Sequence, residues 1–159
     1  MTTVRTGSAK DLDVLGPLWR SFYEDQRAQG MHATVPANGF EEWSSSLRAA
    51  LGRFACLVVA EEGDKVVGFV AGRTRSAPKY LGGTQAGWVT EVWVEPAYRR
   101  QRLAEQMVRA AIDWFRGQGV TRIELQVVPG NEGARRLYAR LGFADELVQM
   151  VREVGRDRS

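Results

Sequence analysis

Cysteine and histidine are nearly absent from this chain: Cys56 and His32 are the only residues of either type. A lone cysteine excludes an intramolecular disulfide framework and suits a reducing cytoplasm. One His and one Cys leave no ligand set for a structural metal, so no metal is expected. Long hydrophobic runs are missing too. The longest, residues 54–60, is far too short to cross a bilayer, and near Met1 no basic segment leads into an apolar stretch as a secretory signal would. Nor does one sign of charge dominate, since the net charge is +3. Bases and acids interleave except at Arg99, Arg100 and Arg102 and at the C-terminal Arg152, Arg156 and Arg158, which read as a solvated end. Neither a membrane nor a nucleic acid is therefore an expected partner.

What is present suits one globular domain over residues 1–159, with 44% apolar and 26% charged residues. A first strand is expected at residues 3–6. Ser8 is a good N-cap for a helix carrying Leu12, Leu15, Leu18, Trp19 and Phe22 at helical spacing, which Gly16-Pro17 should kink or precede with a short turn. A polar connector follows at residues 30–39, then a helix at 40–51 with Trp43, Leu47 and Leu51 on one face. Residues 55–61 and 65–74 read as strands joined by the Gly63-Asp64 turn, and 76–87 as an irregular connection. Then come a strand at 88–95, a helix at 103–117, a strand at 123–128, a short helix at 131–141 and a last strand at 147–154. The order is mixed α/β (α+β), with a mostly antiparallel sheet of six to seven strands flanked by about four helices. One parallel pair with a right-handed crossover is expected within residues 88–128.

Two stretches concentrate the chemistry. Val92-Trp93-Val94-Glu95-Pro96 leads through a turn and a basic loop, Arg99-Arg100-Gln101-Arg102, to a helix start at Leu103-Ala104. Helix N-termini offer unpaired N–H groups and partial positive charge. Arginines there oppose the helix dipole, so their crowding calls for an anionic ligand such as a polyphosphate. The second stretch opens a helix with Asn131, an excellent capping residue, and places Tyr138 two turns in. Together they resemble the CoA-binding core of the GNAT superfamily of N-acyltransferases, a resemblance that extends through element order to nearly the whole chain.

That resemblance implies acetyl-CoA as co-substrate and transfer of its acetyl group to a primary amine by direct attack in a ternary complex. It implies a diphosphate cradle at Arg99, Arg100, Gln101, Arg102, Leu103 and Ala104, with pantetheine held by the backbones of Val92, Trp93 and Val94 and by Asn131. Glu91 would take the proton from the amine, with Glu95 and Glu124 as rivals, and Tyr138 would protonate the departing thiolate. Arg102 departs from the pattern, which has glycine there. We expect a helical backbone at Arg102, where an arginine costs nothing; a positive φ would strain it and weaken the cradle. Cys56 and the tryptophans Trp19, Trp43 and Trp114 read as core, and Trp88 and Trp93 as strand packing beside Glu91. The acceptor is not legible, and a homodimer is an analogy only. The alternative is a catalytically silent acyl-CoA sensor.

Overall fold

The apolar run at residues 54–60 fixes the architecture. Strand β2 (Ala55–Glu62) is buried on both faces. Its side chains alternate between two cores: Cys56, Val58 and Ala60 enter one, Ala55, Leu57 and Val59 the other. A strand reads this way only when helices cover both faces of its sheet. The computed structural model describes residues 1–155, leaving Arg156 and Arg158 of the basic C-terminus outside the described residues.

Strands β1 (Thr2–Thr6), β2, β3 (Lys65–Ser76), β4 (Gln85–Val94) and β5 (Ile123–Leu125) form one sheet in chain order. The first three pairings are antiparallel and β4–β5 is parallel, as the crossover predicted. On one face lie α1 (Ala9–Leu12), α2 (Gly16–Ala28) and α3 (Gly39–Ala50); on the other lies α4 (Leu103–Gly117), with α5 (Glu132–Arg140) beside it. The Gly16-Pro17 break does produce a one-turn α1 ahead of α2. Arg5 anchors that turn, donating to both carboxylate oxygens of Asp11 at 2.8 and 2.9 Å. Helix α4 buries Leu103, Met107, Val108, Ala111 and Phe115. Phe115 lies flush on the sheet because Gly72 and Gly87 stand beneath it, where a Cβ would come within 2.9 and 2.8 Å of the ring. Among the described residues, no helix is long and apolar enough to cross a membrane.

Two expectations about the sheet need correction. It has five strands among the described residues, not six or seven, because residues 147–154 form no strand. Their apolar side chains fall in adjacent pairs, Leu147 with Val148 and Met150 with Val151, rather than alternating, and they remain exposed. Strand β5 also stops at Leu125 instead of 128. Its ladder with β4 ends at the Val89–Leu125 pair, where β4 carries a bulge: Gly72 pairs with Val89 and Ala71 with Glu91, leaving Thr90 as the extra residue. Bulges sharpen twist and end pairing, so beyond that point the two parallel strands part.

Candidate active site

The parting of β4 and β5 opens a cavity of about 420 Å³, a size that suits an organic ligand. On the side away from β3, the main chain of β4 from Thr90 to Val94 has no strand partner, because β5 has already ended. Its amides are free to bind a ligand that lies along the strand. Of the predicted site residues, Val92, Trp93, Val94, Arg99, Arg100, Arg102, Leu103, Ala104, Asn131 and Tyr138 line this single cavity. Gln101 does not; it accepts a hydrogen bond from the Thr2 hydroxyl at 2.9 Å. Glu91 does not either.

The basic loop overturns the expectation for Arg102. Its φ is +58°, left-handed rather than helical, and Arg100 is left-handed too at +72°. Each such non-glycine residue costs about 1–2 kcal/mol. Strain of this kind collects at binding loops, and alternating backbone hands turn successive N–H groups into an anion-binding nest. The loop thus keeps the conformation that glycine would adopt freely, and adds a guanidinium. Arg100 and Arg102 make no ion pair among the described residues. Arg99 is differently employed: its Nε donates to the Val94 carbonyl at 2.9 Å and its guanidinium stacks 4.7 Å from the Trp93 ring centre.

Asn131 caps α5 as its sequence position predicted, its Oδ1 accepting from the Ala134 N–H at 3.1 Å. That fixes the helix that carries Tyr138. Phe143 packs edge-on against the Tyr138 ring at 5.9 Å, and burial pushes the phenol up to about 12. The phenol therefore stays protonated and able to donate.

Glu91 points to the opposite face, among α2 and α3. It is 1% exposed. Its Oε1 accepts from the Trp43 indole N–H at 2.5 Å, while its Oε2 is buried with no partner. Burial pushes its carboxyl up to about 7, opposed by the Trp43 hydrogen bond and by the charge of Arg73, while the neighbouring Thr90 hydroxyl donates to the Ala71 carbonyl at 3.2 Å. The rival Glu124 is pulled the other way, below the usual carboxylate range, by hydrogen bonds from Arg75 and Arg122 at 2.7 and 2.9 Å. Trp43, read from sequence as core, thus makes a polar contact that its helical spacing could not reveal.

The sequence reading missed a further wall of the cavity. Phe22, Asp25 and Gln26 of α2, with Gln29 at its C-cap, line it from the face opposite α4. Their spacing marks one helical stripe, but nothing in the sequence says what that stripe meets. Cys56 is buried, as expected, and burial pushes its thiol up to about 12, which makes it a poor nucleophile. Among the described residues, no three of His, Cys, Asp or Glu are grouped to hold a metal ion.

The fold has counterparts. The profile of the acetyltransferase (GNAT) family matches residues 15–143, and the chain belongs to that family. In sequence, it is 35% identical over 88 residues to the mycothiol acetyltransferase of Renibacterium salmoninarum, covering 55% of this chain and 25% of that protein. It is 33% identical over 85 residues to N-acetyltransferase 8F1 of Rattus norvegicus, 54% of this chain and 38% of the relative. The chain thus spans well under half the length of these curated relatives. A crystal structure of a predicted acetyltransferase with acetyl-CoA from Clostridium acetobutylicum superposes with a TM-score of 0.77 at 20% identity, over 95% of this chain and 96% of its own.

Proposed function

We propose that the protein is an acetyl-CoA-dependent N-acetyltransferase acting on a primary amine, in the reducing cytoplasm that its composition suits. The observation that carries this reading is the single cavity joining a strained, arginine-rich loop, an unpaired strand edge and the Tyr138 phenol. These residues fit the co-substrate part by part. The N–H groups and guanidinium groups of Arg100 and Arg102 would hold its phosphates, Leu103 and Ala104 would add the first turn of α4, and the free edge of β4 would pair with the pantetheine amides.

Bound acetyl-CoA supplies an acyl carbon activated as a thioester. A main-chain N–H of β4 polarises its carbonyl and stabilises negative charge on that oxygen as the amine attacks. Glu91 accepts a proton from the amine. Being sealed behind β4, it does so through water, and a carboxyl near 7 is matched to that task at neutral pH. Tyr138 donates a hydrogen bond to the departing sulfur. Full transfer from a phenol near 12 to a thiolate of ordinary pKa near 8.5 runs uphill, so the hydrogen bond itself is the contribution.

The test is release of free thiol from acetyl-CoA in the presence of a panel of primary amines. The reading predicts release that needs both protein and amine. Binding of acetyl-CoA without release by any amine would contradict it.

A further inference from the structure

We propose that Asp25 is the counter-ion for the acceptor, so that the α2 side of the cleft selects an amine arriving as an ammonium ion on an apolar body. This rests on the acetyl-transfer reading and adds the substrate class to it.

The argument begins with where the cavity runs. Its wall takes residues from helices on both faces of the sheet, α2 on one and α4 and α5 on the other. A cavity with walls from both faces passes through the sheet, at the place where β4 and β5 part. The α4 end of the cavity carries Arg100 and Arg102, which the transferase reading gives to phosphate, and that leaves the α2 end for the second reactant.

What α2 presents there is chemically distinct. Asp25 is half-buried, and its Oδ2 accepts from the Gln29 side-chain amide at 2.6 Å. Asp25 makes no ion pair among the described residues, which leaves Oδ1 for a ligand. The other acid of the cavity wall, Glu105, is tied to Arg109 at 3.2 Å. A carboxylate held in place yet not neutralised, in a cavity otherwise rich in arginine, recognises a cation. Phe22 of α2 also lines the cavity and offers surface to an apolar substituent.

Charge and atoms then balance. The ammonium binds at Asp25 and gives up a proton through water to Glu91. The neutral amine forms the N–C bond, the C–S bond breaks, and the electron pair leaves on sulfur. A second proton leaves nitrogen and ends on that sulfur as the thiol. Asp25 is not the base; it concentrates and orients the amine.

Benzylamine and aniline share a ring and a primary amine, but only benzylamine is an ammonium ion at neutral pH. With the protein saturated in acetyl-CoA, Asp25→Asn should lower kcat/KM for benzylamine tenfold or more, roughly the loss of one charge-assisted hydrogen bond. Aniline should change less than about twofold. Asp25→Glu should restore part of the benzylamine rate, and the thermal shift produced by acetyl-CoA should be the same in all three proteins. Equal losses for both amines, or no loss for benzylamine, would overturn the assignment of Asp25 while leaving the transferase reading standing. Acetyl-CoA binding with no amine-dependent thiol release in the unaltered protein would bring down the transferase reading and this proposal together.

Discussion

On the α4 side, the cleft is furnished mainly by main chain: the free edge of β4, the left-handed loop at Arg100 and Arg102, and the first turn of α4. On the α2 side, it is lined by side chains, Phe22, Asp25 and Gln26 among them, and outside the cleft, behind β4, Trp43 of α3 holds Glu91. The difference bears on what each side tolerates. A main-chain site needs a backbone conformation, so arginine can replace glycine at 102 if the fold bears the strain. A side-chain site needs particular atoms at particular distances, and a single substitution removes them.

The sharpest way to break this contrast is Glu91→Gln. Turnover should fall by roughly 10²–10⁴, the usual value of a general base, while affinity for acetyl-CoA stays unchanged; a sensor would lose nothing. Glu91 also carries a pH signature. Its carboxyl is raised from an ordinary 4.5 to about 7, so between those values the folded chain holds a proton that the unfolded chain has released. Stability from the neutral acid is complete below about 4.5 and is lost as pH rises through about 7. Turnover should rise through the same interval. Glu91→Gln, neutral throughout, should unfold at a higher temperature than the parent above that pH, a gain of stability bought with lost activity. A smaller effect is expected from Tyr138→Phe, about tenfold to a hundredfold in kcat, the worth of one hydrogen bond to developing charge. Steady-state kinetics would separate it from any change in KM for acetyl-CoA.

The smallest effect sharpens the main-chain side. Arg102→Gly should relieve about 1 kcal/mol of strain and raise the melting temperature by a few degrees. Acetyl-CoA binding should weaken modestly, most visibly at low salt, because a phosphate-binding charge is gone. Arg102→Ala, which removes the charge but keeps the left-handed strain, should weaken binding without the gain in stability.

The same contrast explains what could be read in advance. Residues 99–104 are contiguous, and helix-start electrostatics single them out from sequence alone. Asn131 announced its capping role for the same local reason. The left-handed φ of Arg102 is not legible, because handedness in this loop is set by the route from β4 into α4 and not by the residue occupying it. Trp43 is legible only as part of an apolar stripe, because its partner Glu91 lies 48 residues on, in β4. The expected last strand at residues 147–154 does not form, and the edge strand β5 offers only Ile123–Leu125 as a ladder. The core is the most legible part: the stripe of Leu12, Leu15, Leu18, Trp19 and Phe22 and the strand expected at residues 55–61 pack against one another.

Thermal unfolding with and without acetyl-CoA, with AMP as a weak control, tests the central claim that this cleft is a CoA site. Ligand at about 100 times its Kd should add roughly 2.7 kcal/mol, several degrees for a chain of this size, and AMP should add little. No shift at millimolar acetyl-CoA would contradict the account, because the strained loop and the unpaired strand edge would then have no ligand to explain them.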